Sequence, residues 1–318
     1  MKINKKLVVT SLSTILGLGI VGSVTGTIAW YQFSNRARTS IIGTSTGISG
    51  LLEIRKHSDG DDPYKTSLIT EDVDERADTY KGKFEPVTFG QMTATGALPA
   101  QAYRNPTAGV ADMTKWAKAT VNQEYLQYKV DLRAQKMNQS TGKVETPVED
   151  GKIVYLTDMV IEDADTDAVS KAVRVHITDG TNTYLISKNG GSLDTHGKLD
   201  LDKDPGADKG TTDGSQIYEW TNPANIVELD YGDGASAKQE STAYSDLVAE
   251  LQDDGTYSKD PMFTLASGKA TLTITIWLEG WEQFDDNADF KPVWNGENRN
   301  NKTFHVGMTF EVDATKFR

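Results

Sequence analysis

Three stretches of strict alternation do more than any other feature to limit the folds open to this chain. Leu126, Tyr128, Val130, Leu132 and Ala134 take every second position of 125–134. Leu272, Ile274, Ile276 and Leu278 do the same opposite Thr271, Thr273 and Thr275, and Phe304, Val306, Met308, Phe310 and Val312 repeat the pattern. Successive side chains of a strand point to opposite faces, so each stretch predicts a strand with one apolar and one polar face. One-sided burial belongs to antiparallel sheets packed face to face. Residues 172–177 and 183–186 flank Asp179-Gly180 and predict a hairpin. The expectation is a mainly β chain, an antiparallel β-sandwich with loop insertions and one or two short helices. Periodicity alone leaves a jelly roll and an immunoglobulin-like sandwich both open.

Other segments are less regular. Tyr244, Leu247, Val248 and Leu251 fall at helical spacing and predict a helix over 243–251. Residues 57–82 are polar and acidic and read as a surface insertion. Residues 84–118 carry no assignable pattern, and 189–215, 231–242 and 284–301 read as loops.

The N-terminus points to export. Lys2, Lys5 and Lys6 form a basic start, and residues 7–29 carry no charge. That pattern fits a secretory signal peptide over residues 1–29. The apolar stretch is long enough for a retained anchor, but Gly17, Gly19, Gly22, Ser23 and Gly26 dilute it. Small residues Thr27 and Ala29 predict cleavage between Ala29 and Trp30. Residues 30–42 then read as an aromatic, β-branched strand followed by the flexible run Gly43-Thr44-Ser45-Thr46-Gly47, with one domain over 43–318.

Composition narrows the partners. The chain of 318 residues has 33 basic and 46 acidic residues, net −13. Loss of the three signal lysines leaves 30 against 46, or −16. Such a surface repels nucleic acid and anionic headgroups, so no nucleic-acid partner is expected, and no membrane contact after processing. No cysteine is present, which rules out disulfides, thiol catalysis and thiolate metal sites.

Two segments carry a family resemblance. Gly26-Thr27-Ile28-Ala29, the Trp30-Tyr31-Gln32-Phe33 cluster, Ile42-Gly43-Thr44 and the Leu52-Glu53-Ile54 strand resemble the TasA and camelysin group. The late segment Ile276-Trp277-Leu278-Glu279-Gly280 is similar to a strand common in that group. Together they cover about 40 residues near opposite ends. The resemblance implies a jelly-roll-like sandwich and release by a signal peptidase of the SipW type. It also implies assembly in which the freed N-terminal strand completes a neighbour's sheet, with Trp30, Tyr31, Phe33, Ile41 and Ile42 at the seam. Burying roughly five apolar side chains at ~1.5–3 kcal/mol each gives on the order of 10 kcal/mol before entropy costs.

Site chemistry is sparse. Asp200, Asp202 and Asp204 resemble the opening of a calcium loop, but Pro205 and Thr211 stand where an EF-hand needs Gly and Glu. Asp163, Asp165 and Asp167 fit less well. His176 and His305 fall on polar strand faces and read as surface histidines; no His-Glu-x-x-His spacing supports the peptidase activity with which the camelysin branch is classed. Trp277 reads as core rather than as part of a binding patch. The expected protein is a secreted, non-enzymatic subunit of an extracellular matrix or surface fibre, its partner a second copy, with no cofactor unless calcium. The alternative is a monomeric adhesin or glycan-binding module.

Overall fold

A computed structural model of the chain describes residues 37–44, 50–58, 62–77, 80, 84–89, 96–104, 117–137, 144–145, 150–163, 168–192, 199–200, 218–219, 240–280 and 304–312. The strands are β1 (Ala37–Thr44), β2 (Gly50–Lys56), β3 (Ser67–Leu68), β4 (Pro86–Thr88), β5 (Tyr103–Arg104) and β6 (Ala117–Lys118). They continue with β7 (Leu126–Met137), β8 (Val144–Glu145), β9 (Lys152–Asp163), β10 (Val173–Thr178), β11 (Thr183–Ser187) and β12 (Gly191–Ser192). The last are β13 (Leu199–Asp200), β14 (Tyr218–Glu219), β15 (Glu240–Ala243), β16 (Phe263–Leu265), β17 (Lys269–Glu279) and β18 (Phe304–Val312). Two single-turn helices, α1 (Thr70–Val73) and α2 (Tyr244–Leu247), interrupt them.

The chain is mainly β, and its sheets are mixed as well as antiparallel. Strand β17 is the axis of the larger sheet. It pairs antiparallel with β10 on one side and β7 on the other, so Ile274 lies opposite Ile177 and Tyr128. Past the end of β7 it pairs in parallel with β4. Strand β2 lies on the far side of β7. The smaller sheet runs β16-β9-β18-β1-β3. One hydrophobic cluster draws on both sheets, and its members include Leu132, Ile274 and Ile276 from one and Ile161, Val306 and Phe310 from the other. The three alternating stretches are strands with their apolar faces in this core, where Leu272, Ile274, Ile276 and Phe310 are fully buried. The expected hairpin forms too: β10 and β11 pair from Arg174–Ser187 to Thr178–Thr183. Its turn carries Gly180 at φ +90° and Asp179 Oδ1 accepting from the amides of Thr181 and Asn182.

Several expectations fail. The sheets were expected to be antiparallel, yet β1–β18, β4–β17, β11–β15 and β13–β14 are parallel. Strand β17 has no fully wet face: Thr275, Trp277 and Glu279 are buried on the side opposite Ile276, under a second cluster that includes Val87, Phe89, Ala102 and Tyr125. Its Trp277 ring meets Phe89 edge-on at 4.9 Å. His176 is likewise not on the surface, being 3% exposed beneath Gly96. The helix over 243–251 stops after one turn. Ala249 N–H donates to Leu156 O of β9 and Glu250 N–H to Ser258 Oγ, so the backbone leaves helical geometry for outside partners and Leu251 ends 49% exposed. Residues 57–82 are more than a surface insertion, since Leu68 and Val73 enter the main core. Gly43 and Thr44, read as flexible linker, are the last residues of β1.

Candidate assembly slot and a charged sheet face

Strand β1 is held along its whole length. It runs parallel to β18 from Ala37 opposite Phe304 to Thr44 opposite Glu311, with Ile41 at Met308 and Ile42 at Thr309. Its other edge meets β3, where Ile41 lies opposite Leu68 and Ile42 opposite Ser67. Strand β18 is paired on its far side with β9. The N-terminal segment therefore fills a slot within its own chain's sheet, between the C-terminal strand and a two-residue rung. Ile41 and Ile42, expected at an assembly seam, sit in this slot; Trp30, Tyr31 and Phe33 lie outside the described residues, as do Ala29 and the cleavage point.

The wall of the slot carries a buried ion pair. After α1, Arg76 donates to Asp74 through Nε (2.7 Å) and Nη2 (2.6 Å), with both side chains almost wholly buried at 0% and 1% exposure. The Arg76 guanidinium lies 4.7 Å from the centroid of Phe84, which meets Phe304 of β18 edge-on at 5.4 Å. Pairing and ring stacking offset the desolvation of two buried charges.

A second constellation lies on the larger sheet. Asp131 of β7 accepts from Thr271 Oγ1 of β17 (2.7 Å) and Arg55 Nε of β2 (3.0 Å), and it shares a hydrogen bond with His57 Nδ1 (2.8 Å). Burial alone would raise the Asp131 pKa, but these three partners hold its carboxyl below the usual range. Beside it, Arg133 donates to Glu53, and Tyr64 lies against the guanidiniums of Arg55 and Arg133 at 4.6 and 3.9 Å. An Asp–His pair can orient an imidazole as a general base. Thr271 Oγ1 donates to Asp131 rather than to the ring, and the contacts among these groups form a cross-strand ionic ladder. Sequence reading missed it because 57, 131 and 271 meet only once β2, β7 and β17 align; the sole local trace was a charged alternate face.

The carboxylates singled out for calcium are placed only in part. Asp200 lies in β13 opposite Glu219 of β14, while Asp202 and Asp204 lie outside the described residues. Asp163 is engaged elsewhere: its two oxygens accept from Ser170 N–H (2.6 Å) and Ser170 Oγ (2.5 Å), with Lys188 Nζ 3.5 Å away. Among the described residues no group of three or more His, Asp or Glu could hold a metal ion.

No family model, curated protein or solved structure matches the chain.

Proposed function

We propose that the chain is an exported structural subunit, a TasA-like protein with a jelly-roll-like sandwich, that assembles outside the cell into a matrix or surface fibre by donating its N-terminal strand. The observation that carries this reading is the place of β1. It is an interior strand, pairs along its full length with β18, and the next described strand, β2, belongs to the other sheet. A strand near a chain end can leave and be replaced by the same segment of another copy without threading. Every hydrogen bond and register pair of the slot is then reproduced in trans. A single copy holds β1 in cis, which protects the long edge of β18 until a partner arrives.

Export supports the same reading. Cleavage before Trp30 frees the segment that leads into β1 only on release, which keeps assembly outside the cell. N-terminal sequencing of the secreted protein tests the processing, and a mature start several residues from Trp30 would count against it. The assembly test uses Ser40→Cys with Gly307→Cys, at positions that face each other in register. Oxidation of the unassembled protein should link the two within one chain, and oxidation after assembly should give covalent ladders. Filaments that carry only intrachain links would show that β1 never leaves its own sheet.

A further inference from the structure

We propose that residues 65–77 form a latch that closes over β1 and sets how fast the N-terminal strand can be exchanged between copies. This inference rests on the strand-donation reading of the same slot.

The segment is built as a strap with an anchor at each end. At its start, Lys65 exchanges both backbone hydrogen bonds with Ile54 of β2, each 2.7 Å. Lys65 Nζ donates to Asp72 Oδ1 at 2.7 Å, and the other oxygen of Asp72 accepts the Ile69 amide at 3.0 Å, closing the first turn of α1. In the middle, Ser67 and Leu68 cover the edge of β1 at Ile42 and Ile41, and Leu68 and Val73 fill the main core. The far end is fixed by the buried Asp74–Arg76 pair, which lies against Phe84 and through it against Phe304 of β18.

Strand β18 supplies most of the pairing of β1, but β3 is what turns β1 from an edge strand into an interior one. Lateral departure of β1 requires this rung to lift. Lifting it exposes Leu68 and Val73 and strains a charge pair whose separation would leave uncompensated buried charge. The strap thus adds to the barrier for leaving the slot and, once a partner's strand has entered, to the barrier for losing it.

The test mixes two populations of the chain from Trp30 onward, carrying different affinity tags, and follows the appearance of mixed assemblies. Neutralising one partner of the far anchor with Arg76→Gln leaves the Asp74 carboxylate buried without its ion pair and should speed mixing at least about tenfold, since loss of a native interaction accelerates opening. A lock made from Ile42→Cys and Ser67→Cys, which are opposite in register, should stop mixing when oxidised and restore it on reduction. Mixing of the neutralised variant at the wild-type rate, or continued mixing of the oxidised lock, overturns the latch. If wild-type and reduced proteins never mix, and a chain lacking residues 30–42 takes up no synthetic 30–44 peptide, the strand-donation reading falls and the latch with it.

Discussion

His176 shows what a single buried side chain adds beyond its strand. Its Nε2 lies 3.1 Å from the carbonyl of Gly96, so that nitrogen carries the proton and donates. The neutral ring leaves Nδ1 as a bare acceptor, buried without a described partner. Burial pushes the pKa below the ordinary histidine value, and the bond to Gly96 offsets this only in part. The unfolded chain therefore binds this proton more readily than the folded one. Stability is unaffected well above pH ~6.5, the unfolded value, and falls as the pH drops through it toward the depressed folded value. His176→Gln can keep the donor to Gly96 without titrating, so its melting temperature should decline less between pH 7 and 5 than that of the wild type. Parallel pH profiles would remove His176 as the cause. Ile274 is the complementary case, legible from alternation and fully buried between Ile177 and Tyr128 in register. Ile274→Asp would bury an unpaired carboxylate in the main core and should abolish folding, read as loss of soluble yield and of cooperative melting. The difference between the two is physical. Alternation marks an apolar face as buried, but nothing in a period of two says which polar face a distant segment such as 96–104 will cover.

At the level of elements, legibility follows length and regularity. Strands β7, β17 and β18 announced themselves because nine to twelve residues repeat one rule. The rungs β3, β4, β5 and β6 did not, being two or three residues long and defined by their partners. The helix expected over 243–251 shows the converse, a short local pattern overridden by hydrogen bonds to β9 and to Ser258. Strand β1 was legible as a strand, but not as an interior strand parallel to β18, because a partner 267 positions away in register leaves no local trace. Its interior position makes a firm prediction. A chain lacking residues 30–42 loses all of β1 but Gly43 and Thr44, which opens one edge of β18 and removes the support of β3. Its melting temperature should fall while the larger sheet, centred on β17, keeps its far-ultraviolet signal. A synthetic peptide of residues 30–44 should restore the melting temperature. A truncated chain that melts as the full one does, or that gains nothing from the peptide, would show that the slot contributes little.

On the scale of the whole molecule, strand donation as proposed would fix the kind of assembly that can form. Each copy would have one β1 to give and, once that strand has left its own sheet, one gap beside β18 to fill, and these are different surfaces. A copy that gives to one neighbour and receives from another makes a heterologous contact, which closes only if the rotation between copies allows a ring and otherwise runs on as a filament. Because β1 is parallel to β18 within one chain, every junction made by donating β1 would have the same polarity, with the N-terminal strand of one copy alongside β18 of the next. Charge bears on rate rather than polarity: at −13, or −16 if the proposed signal lysines are removed, copies repel at long range and approach faster as salt screens them. Polarity gives the sharper prediction. On the strand-donation reading, a chain without residues 30–42 can accept a strand but has none to donate, so it should join a growing filament once and end it. Mixed with full-length protein, it should shorten filaments in inverse proportion to its mole fraction, as measured by electron microscopy, without changing their width. A chain that keeps β1 but carries the oxidised Ile42–Ser67 lock can neither donate nor accept, and should leave filament length unchanged. Equal shortening by both chains would mean that termination comes from general interference. No shortening by either would mean that the junction does not use β1.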